Sequence, residues 1–251
     1  MDKNKKEAIK KAASISILFF FIVVVGFIMI KYEIEGEKNL PFKLNKIMII
    51  STADGIAKDD QNISIVQAND LYFYIEKNEN NNSENMIEQI SIENIKIMSA
   101  PKKGKVAFYR PNNTEGTAYV YNDEFLLEDE IIYNGDTQTS MQNLTISNQG
   151  GIISFRTCVK EIGEIPINME DEGREVGYNN DGTLLKKAQI VISDIKYNIG
   201  FDMYIKLTDG KTYKGYINIS LPLEDVENNG VKSIEKVDME DIIFKRLPEV
   251  G

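Results

Sequence analysis

An uninterrupted apolar run near the N-terminus limits what this chain can be more than any other feature. Residues 12–30 read AASISILFFFIVVVGFIMI, nineteen residues without a charge. As an α-helix this run measures about 28 Å, which is close to the thickness of the hydrocarbon core of a bilayer. The sequence therefore predicts one transmembrane helix over residues 12–30.

A cleaved secretory signal and a buried core helix are the alternative interpretations of this run. The run is longer than the apolar region of a typical signal, which has about 7–15 residues. Residues 29–32 contain no pair of small residues at which a signal peptidase would cut, and no cysteine follows the run for lipoprotein processing. These details favour an uncleaved anchor.

The charges around the run predict its orientation. The residues after it mix lysine with glutamate, whereas five lysines precede it: Lys3, Lys5, Lys6, Lys10 and Lys11. Because cytoplasmic flanks carry the excess of positive charge, we expect residues 1–11 to be a cytoplasmic tail. Residues 31–45 then form a juxtamembrane segment and residues 46–251 an extracytoplasmic domain.

Composition narrows the chemistry of that domain. The chain has no histidine, no tryptophan and one cysteine, which excludes histidine-based triads, histidine metal sites and an intramolecular disulfide. The net charge is −10, and residues 1–11 carry five lysines against Asp2 and Glu7, or +3, which leaves −13 for the rest. We expect no nucleic-acid partner for so acidic a domain.

Beyond residue 45 the hydrophobic pattern has the two-residue period of β-strands. Glu93-Asn94 shifts the alternation of isoleucines by one position, which is typical of a β-bulge. Strands are predicted over segments bounded by Asn, Asp, Gly and Pro, namely residues 46–52, 62–66, 71–75, 90–98, 105–110 and 117–121.

The second half of the chain gives clearer hairpin signals. Residues 143–147 and 152–159 flank an Asn-Gln-Gly-Gly turn and are predicted to pair with each other. Residues 201–208 and 212–221 flank Asp209-Gly210, a dipeptide typical of a two-residue type I′ turn. Each pair is therefore expected to form an antiparallel hairpin.

The strand pattern predicts the fold class. A last strand over residues 241–247 brings the number to about ten or more, with hardly a helix outside the membrane. This pattern favours a mainly β fold, with one N-terminal transmembrane helix followed by an extracytoplasmic β-sandwich, and a barrel as the alternative. Residues 134–140 mark a possible division into two β-rich halves, although one sandwich is preferred.

Two serine–lysine pairs match the S-x-x-K spacing of penicillin-binding proteins: Ser99 with Lys102, and Ser193 with Lys196. In those enzymes the serine opens a helix, so that the lysine one turn later faces it. Neither pair is expected to lie on a helix, and the accompanying S-D-N and K-T-G motifs are absent. No catalytic residue is assigned to either pair.

Acidic residues provide two weak candidates. Residues 168–173 resemble the start of a calcium loop, but Asn179 at the twelfth position cannot supply a bidentate carboxylate, so a solvated acidic loop is the preferred interpretation of residues 168–182. A carboxylate pair for hydrolysis depends on a separation that sequence does not give. Its possible members are Glu124, Glu128, Glu161, Glu164 and Glu170. No metal or cofactor is predicted.

Two pairs of tyrosines have a structural and a functional interpretation. Tyr72 with Tyr74, and Tyr119 with Tyr121, each lie on one face of a predicted strand. They would either pack beneath a covering segment or form a platform on which sugars or peptides stack. Packing is preferred, because the absence of tryptophan weakens the case for a carbohydrate platform.

The single cysteine and a basic turn are two further features with a structural interpretation. Cys158 is expected to be a small buried hydrophobe, because only Arg156 is near enough in sequence to lower its pKa. Lys102, Lys103 and Lys105 surround a turn in an otherwise acidic domain. A solvated turn and a contact with anionic lipid or wall polymer explain these lysines equally well.

The order of segments along the whole chain carries a resemblance. A lysine-rich tail and one span are followed by KYEIEGEKNLPFKLNKIMIIST, NDLYFYIEKNEN, SNQGGIISFR, DGTLLKK and DIIFKR. This arrangement resembles a family of single-span membrane proteins from clostridia-like, low-GC Gram-positive bacteria that has no assigned activity. The resemblance implies topology and location at the cell membrane, and no functional residue.

Taken together, these features predict a non-catalytic, membrane-anchored binding or assembly component of the cell envelope. Its expected partners are the lipid bilayer, through the N-terminal helix, and an envelope protein. The alternatives are a carboxylate-dependent hydrolase of wall polymers and a sensory ectodomain that signals through the span. Sensing would require a cytoplasmic partner, because a tail of eleven residues is too short to fold alone.

Overall fold

The structure, a computed structural model, has one long N-terminal helix followed by a mainly β domain. It describes residues 3–59, 61–81, 84–113, 118–128, 130–135, 144–166, 183–237 and 241–248. Eleven strands in these ranges form two sheets. The prediction of a mainly β fold behind one apolar helix is therefore confirmed.

Helix α1 spans Lys3–Glu35. An 18-residue window within its stretch Ala13–Glu35 has a mean hydropathy of 2.9, which makes α1 the one helix in the described ranges that is long and apolar enough to cross a membrane. None of this window is buried against the rest of the protein. That exposure argues against a core helix, because an apolar helix of a soluble core would hide these side chains.

The strands vary widely in length, and their bounds set the geometry of the two sheets. They are β1 Phe42–Ala57, β2 Asn62–Lys77, β3 Ile87–Ser99, β4 Lys105–Tyr109, β5 Glu130–Gly135, β6 Leu144–Ile146, β7 Gly150–Pro166, β8 Tyr197–Leu207, β9 Thr212–Leu221, β10 Val231–Val237 and β11 Phe244–Arg246. Three short helices follow β7: α2 Thr183–Lys187, α3 Ile192–Ile195 and α4 Val226–Asn229.

The first sheet has the strand order β10-β1-β2-β7-β4, and the second has the order β11-β9-β8-β3-β5-β6. All neighbours are antiparallel except β5 and β6. The inward-facing residues of both sheets share one apolar core. At its centre the ring of Phe201 on β8 meets those of Phe73 on β2 and Phe155 on β7, with centroids 5.6 and 5.4 Å away.

Both sheets draw strands from either side of residues 134–140. In the first sheet β2 pairs with β7, and in the second β3 pairs with β8. Only residues 134 and 135 of that segment lie inside the described ranges. The described core is therefore built jointly by the earlier and the later part of the chain.

The predicted hairpin of residues 143–147 with 152–159 is wrong. β6 pairs in parallel with β5 in the second sheet, whereas β7 lies in the first sheet. The turn between them carries the chain from one sheet to the other. Gly150 has φ +115° there, and a Cβ on it would lie 2.5 Å from the carbonyl oxygen of Ile75, so the glycine permits a change of sheet.

The hairpin predicted at Asp209-Gly210 is confirmed, but its turn type differs. β8 and β9 pair from Tyr197 opposite Leu221 to Lys206 opposite Thr212. Within the loop of residues 208–210 only Gly210 has a positive φ, at +84°, and its N–H donates to the carbonyl of Leu207 at 2.9 Å. This is the three-residue loop in which a type I turn is followed by a left-handed glycine.

The structure confirms one further prediction about the strands and corrects two others. The bulge at Glu93-Asn94 is confirmed, because the register of β3 against β8 shifts there and Asn94 has φ +55°. The separate strands predicted over 62–66 and 71–75 are one continuous strand, β2. The strand predicted over 117–121 is wrong, since residues 118–121 form no regular structure.

The end of α1 is attached directly to the β domain. The phenol oxygen of Tyr32 accepts a hydrogen bond from the N–H of Arg246 at 2.8 Å, and the N–H of Glu37 donates to the carbonyl of Phe244 at 2.8 Å. Glu33 forms an ion pair with Lys245. The helix therefore meets β11, at the edge of the second sheet, without a free linker.

Candidate functional site

A cleft of about 480 Å³ opens between the two sheets on the side of β10 and β9. Its volume falls within the range typical of ligand pockets. Isoleucines from the inner faces of β1 and β9 form its floor: Ile47, Ile49, Ile217 and Ile219. The rim is made by Tyr216, Asn218, Ser220, Leu223, Ile234, Lys236, Asp241 and Ile242. The cleft is thus apolar at depth and polar at its mouth.

Two strand edges face this cleft. β10 pairs with β1 alone in the part of the chain that the structure describes, over seven residues. β11 covers only Tyr213–Gly215 of β9, so residues 216–221 have a described strand neighbour on one side only. An open edge presents unpaired N–H and C=O groups, which can hydrogen-bond an added strand.

The side chains of β10 alternate between the two faces of the first sheet. Lys232, Ile234 and Lys236 lie opposite inward-facing residues of β1, so these three point to the core side. Glu235 points to the outer side and accepts a hydrogen bond from Lys46 at 3.0 Å. Within the described ranges neither Lys232 nor Lys236 forms an ion pair, and Ile234 is 48% exposed.

The outer face of the first sheet carries the tyrosines that the sequence singled out. The segment 118–127 lies across β7, where Tyr119 donates a hydrogen bond to Ser154 Oγ at 2.7 Å and Tyr121 donates one to Asp54. Burial raises the pKa of both phenols well above the ordinary value, so both remain donors. Tyr119 and Tyr121 act as a cover over the sheet, and they present no open platform.

Tyr72 and Tyr74 lie on this same outer face, on β2. Both are partly buried, and burial raises the pKa of Tyr72 to about 12. The ammonium of Lys46 lies 4.2 Å from the ring centroid of Tyr74. The ring of Tyr74 is therefore engaged by a lysine of the same sheet, whereas the packing interpretation expected a covering segment.

A charged cluster lies beneath the tyrosine cover. Arg156 on β7 makes two hydrogen bonds to the carboxylate of Asp70 on β2, at 2.6 and 2.9 Å, and one to the phenol of Tyr121 at 3.2 Å. Its guanidinium also lies 3.6 Å from Asp54 and 4.8 Å from the ring centroid of Tyr119. Burial, the largest single influence, would lower the pKa of Arg156, but the hydrogen bonds to Asp70 and the electrostatic interactions with Tyr121, Asp70 and Asp54 together raise the pKa.

Sequence reasoning missed this cluster, although it left a signal. Asp70 and Arg156 are single charges inside otherwise apolar or neutral strand segments, and the register of β2 with β7 places them directly opposite each other. Each charged side chain of the cluster has its hydrogen-bond or ion-pair partners in the first sheet or in the segment 118–127. The arrangement therefore fixes the cover in place and offers no free group to a substrate.

A second polar cluster is fully buried between the sheets. Asn69 donates to Gln67 Oε1 at 3.0 Å and to the phenol of Tyr197 at 2.8 Å, and that phenol also lies 3.0 Å from Thr157 Oγ1. Ser51 donates to Asn69 Oδ1 and accepts from the N–H of Leu223. Such a satisfied network specifies strand register, because a one-residue slip would leave several buried polar groups unpaired.

Cys158 is buried, as its interpretation as a small hydrophobic side chain predicts. It is buried on β7 beside Ala68, Tyr109 and Val66, beneath the tyrosine cover. Burial raises the pKa of its thiol to about 12. The thiolate, which is the reactive form, is therefore scarce at neutral pH.

The serine–lysine pairs are not brought together as a reactive unit. Lys102 lies 3.6 Å from Asp194, and Lys196 lies 3.0 Å from Glu224. Ser99 ends β3, whereas Ser193 lies in the short helix α3, contrary to the expectation that neither serine would be helical. Both serines are exposed, and both lysines have carboxylate partners.

Two of the five candidate carboxylates are engaged by lysines. Glu161 pairs with Lys105 at 2.8 Å and Glu164 with Lys58 at 2.6 Å, and both pairs are solvent-exposed. Glu124 and Glu128 lie exposed near the tyrosine cover, while Glu170 and the calcium-like segment 168–179 fall outside the described residues. Among residues that the structure describes, no cluster of three or more acidic or cysteine side chains could hold a metal.

The basic turn is partly neutralised. Lys102 and Lys105 have the acidic neighbours just named, and the N–H of Lys103 donates to the carbonyl of Asp194 at 2.9 Å. The turn is thereby attached to α3. Its lysines do not form an isolated cationic patch.

No family model, curated protein or solved structure matches this chain. The resemblance to single-span proteins of clostridia-like bacteria stays a prediction. The cleft and its two open strand edges are therefore the features from which a function can be argued.

Proposed function

We propose that the protein is a non-catalytic binding or assembly component, anchored by α1 in the cell membrane and exposing its β domain outside the cytoplasm. One observation carries this proposal: an apolar cleft between the sheets is bordered by two open strand edges. A protein segment can add to such an edge through main-chain hydrogen bonds while its side chains fill the cleft.

The anchor is supported by the exposed apolar surface of α1, which needs a lipid environment. The five lysines before the span support a cytoplasmic N-terminus. Anchoring raises the effective concentration of the domain toward any partner held at the same membrane. Added protease should accordingly digest the β domain in intact protoplasts and leave the helix, whereas full protection of residues 31–251 would contradict this orientation.

The hydrolase alternative has weaker support. Glu161 and Glu164 lie in ion pairs with lysine that are exposed to solvent, and neither is held in a shielded pocket. General acid chemistry near neutral pH would need a carboxyl held in a shielded site. Turnover of peptidoglycan or teichoic acid by the purified protein, lost in Glu161→Gln or Glu164→Gln, would establish the hydrolase and refute the proposal.

The experiment that tests binding uses a photo-cross-linking amino acid in the full-length protein in cells. Position 234 lies on the open edge, and position 97 on β3 is the control, since the two isoleucines are 48% and 44% exposed. We expect position 234 to give one discrete adduct whose partner segment mass spectrometry identifies. Adducts that are absent at 234, or equally abundant at 97, would contradict binding at the cleft.

A further inference from the structure

The pattern of side chains on β10 specifies more than an open edge. On its core side a lysine, an isoleucine and a lysine succeed one another at every second residue, as Lys232, Ile234 and Lys236. A strand that adds to this edge places its own residues directly opposite these three, on the same face. The chemistry of these three positions therefore selects the chemistry of the occupant.

The two lysines are available for such a partner. Glu235 forms its ion pair with Lys46 on the outer face of the sheet. In the described residues no carboxylate is paired with Lys232 or Lys236. Opposite charges directly across two strands stabilise their pairing, and like charges destabilise it. A partner residue opposite either lysine is thus favoured when it is acidic.

The central position selects an apolar residue. Ile234 lies at the rim of the cleft, above a floor that contains Ile47 and Ile49. A partner side chain opposite Ile234 can reach this floor and remove apolar surface from water. The strand edge and the cleft therefore act together, the edge through the main chain and the cleft through one side chain.

From these three positions we infer that the occupant is an extended segment of another protein that carries acidic, apolar and acidic side chains at alternate residues. This inference rests on the proposed binding function and adds the chemistry of the partner. Either strand direction satisfies it, because the pattern is symmetric about its centre.

A second copy of this chain fits the edge poorly. Antiparallel pairing of two β10 strands about Ile234 would place Lys232 of each copy opposite Lys236 of the other. Lysines on edge strands are a common protection against such self-association.

The test measures binding of fluorescent peptides to the full-length protein in nanodiscs of zwitterionic lipid. The first peptide carries glutamate, isoleucine and glutamate at alternate positions among threonines, and the second carries lysine in place of both glutamates. A third has the first sequence but is N-methylated along one edge, which removes main-chain donors. We expect the wild-type protein to bind the first peptide at least about tenfold more tightly than the second or third.

A charge exchange makes the test specific to the edge. The double variant Lys232→Glu, Lys236→Glu should reverse the preference and bind the lysine peptide, which a misfolded protein could not do. The control Lys186→Glu, Lys187→Glu changes the net charge equally at two exposed residues of α2 and should keep the wild-type preference. Equal affinity of wild type for both charged peptides, or the same shift in both variants, would overturn the inference.

Cross-linking at position 234 separates failure of this inference from failure of the proposed function. An adduct with a segment that lacks the acidic pattern would retain the binding function and overturn its chemistry. An adduct with a second copy of this chain would overturn the inference as well. The absence of any adduct would instead refute binding at the cleft itself.

Discussion

Replacing Arg156 by methionine should destabilise the β domain far more than removing a surface lysine with the same ion-pair distance. Arg156 lies 2.6 Å from Asp70, and their side chains are only 14% and 12% exposed. Lys206 also lies 2.6 Å from its partner Glu88, but those side chains are 42% and 45% exposed. The two variants therefore compare ion pairs with the same closest N···O distance at different burial.

The expected magnitude follows from the groups that lose a partner. Without the guanidinium, Asp70 and Asp54 remain close together and mostly buried, and Tyr119 and Tyr121 lose the cation against their rings. Breaking a buried ion pair by removing one partner costs roughly 3–5 kcal/mol, and the residual exposure favours the lower end, about 3 kcal/mol. Removal of the exposed Lys206 should cost less than about 1 kcal/mol.

The assays are urea unfolding of the protein in detergent, monitored by tyrosine fluorescence, and thermal unfolding. A loss of about 3 kcal/mol corresponds to a decrease of about 6–12 °C in Tm for a domain of this size. Equal losses for Arg156→Met and Lys206→Met would refute the argument, because burial would then not determine the value of the pair. Added salt should weaken the surface pair and leave the buried pair nearly unchanged.

Three further predictions concern single residues of the β domain. Burial raises the pKa of the Cys158 thiol to about 12, so alkylation at pH 8 should be slow in the folded protein and rapid in urea, and fast labelling of the folded protein would contradict it. Tyr197→Phe should cost about 1–3 kcal/mol of unfolding free energy, because two buried polar side chains lose their shared partner. Gly150→Ala should destabilise the protein more than Gly210→Ala. Both glycines have a positive φ, but only at Gly150 would a Cβ lie against a carbonyl oxygen. Equal losses of unfolding free energy in urea would exclude that contact as the cause.

Local signals in the sequence predicted the features that local physics determines. The bulge at Asn94 was visible because side chains in a strand alternate, so an inserted residue shifts every later isoleucine. The hairpin at Asp209-Gly210 was visible because a left-handed residue favours glycine. The exact turn was not, because loops of two and three residues share the same dipeptide.

Polar residues with interior partners misled the prediction. Gln67 and Asn69 interrupt the apolar alternation of β2, and such a polar cluster usually marks a turn. In the structure both amides are buried and hydrogen-bonded to each other, so the strand continues through them. Tyr197, the other partner of Asn69, is 128 residues away from it, and no local pattern reveals a contact at that separation.

The sequence also could not show which of the two sheets a strand would join. β6 has the apolar residues of a hairpin partner for β7, but its three residues pair with β5 instead. Segment 118–121 alternates like a strand, because an extended chain that covers a sheet also buries every second side chain. The cleft had no signal at all, since it depends on which strands end each sheet.

The attachment of α1 to β11 determines how the cleft can be used. Tyr32 and Glu33 at the end of the helix contact Arg246 and Lys245, and β11 pairs directly with β9, whose next residues form one side of the cleft. A partner segment bound there therefore takes a defined orientation relative to the helix. A flexible linker would allow the domain to search for distant partners, whereas this direct attachment keeps the cleft near the end of the helix, which under the proposed anchoring favours partners at the same membrane. The same attachment also links any displacement of β9 on binding to the end of the helix, which is the physical route that a sensory role would require.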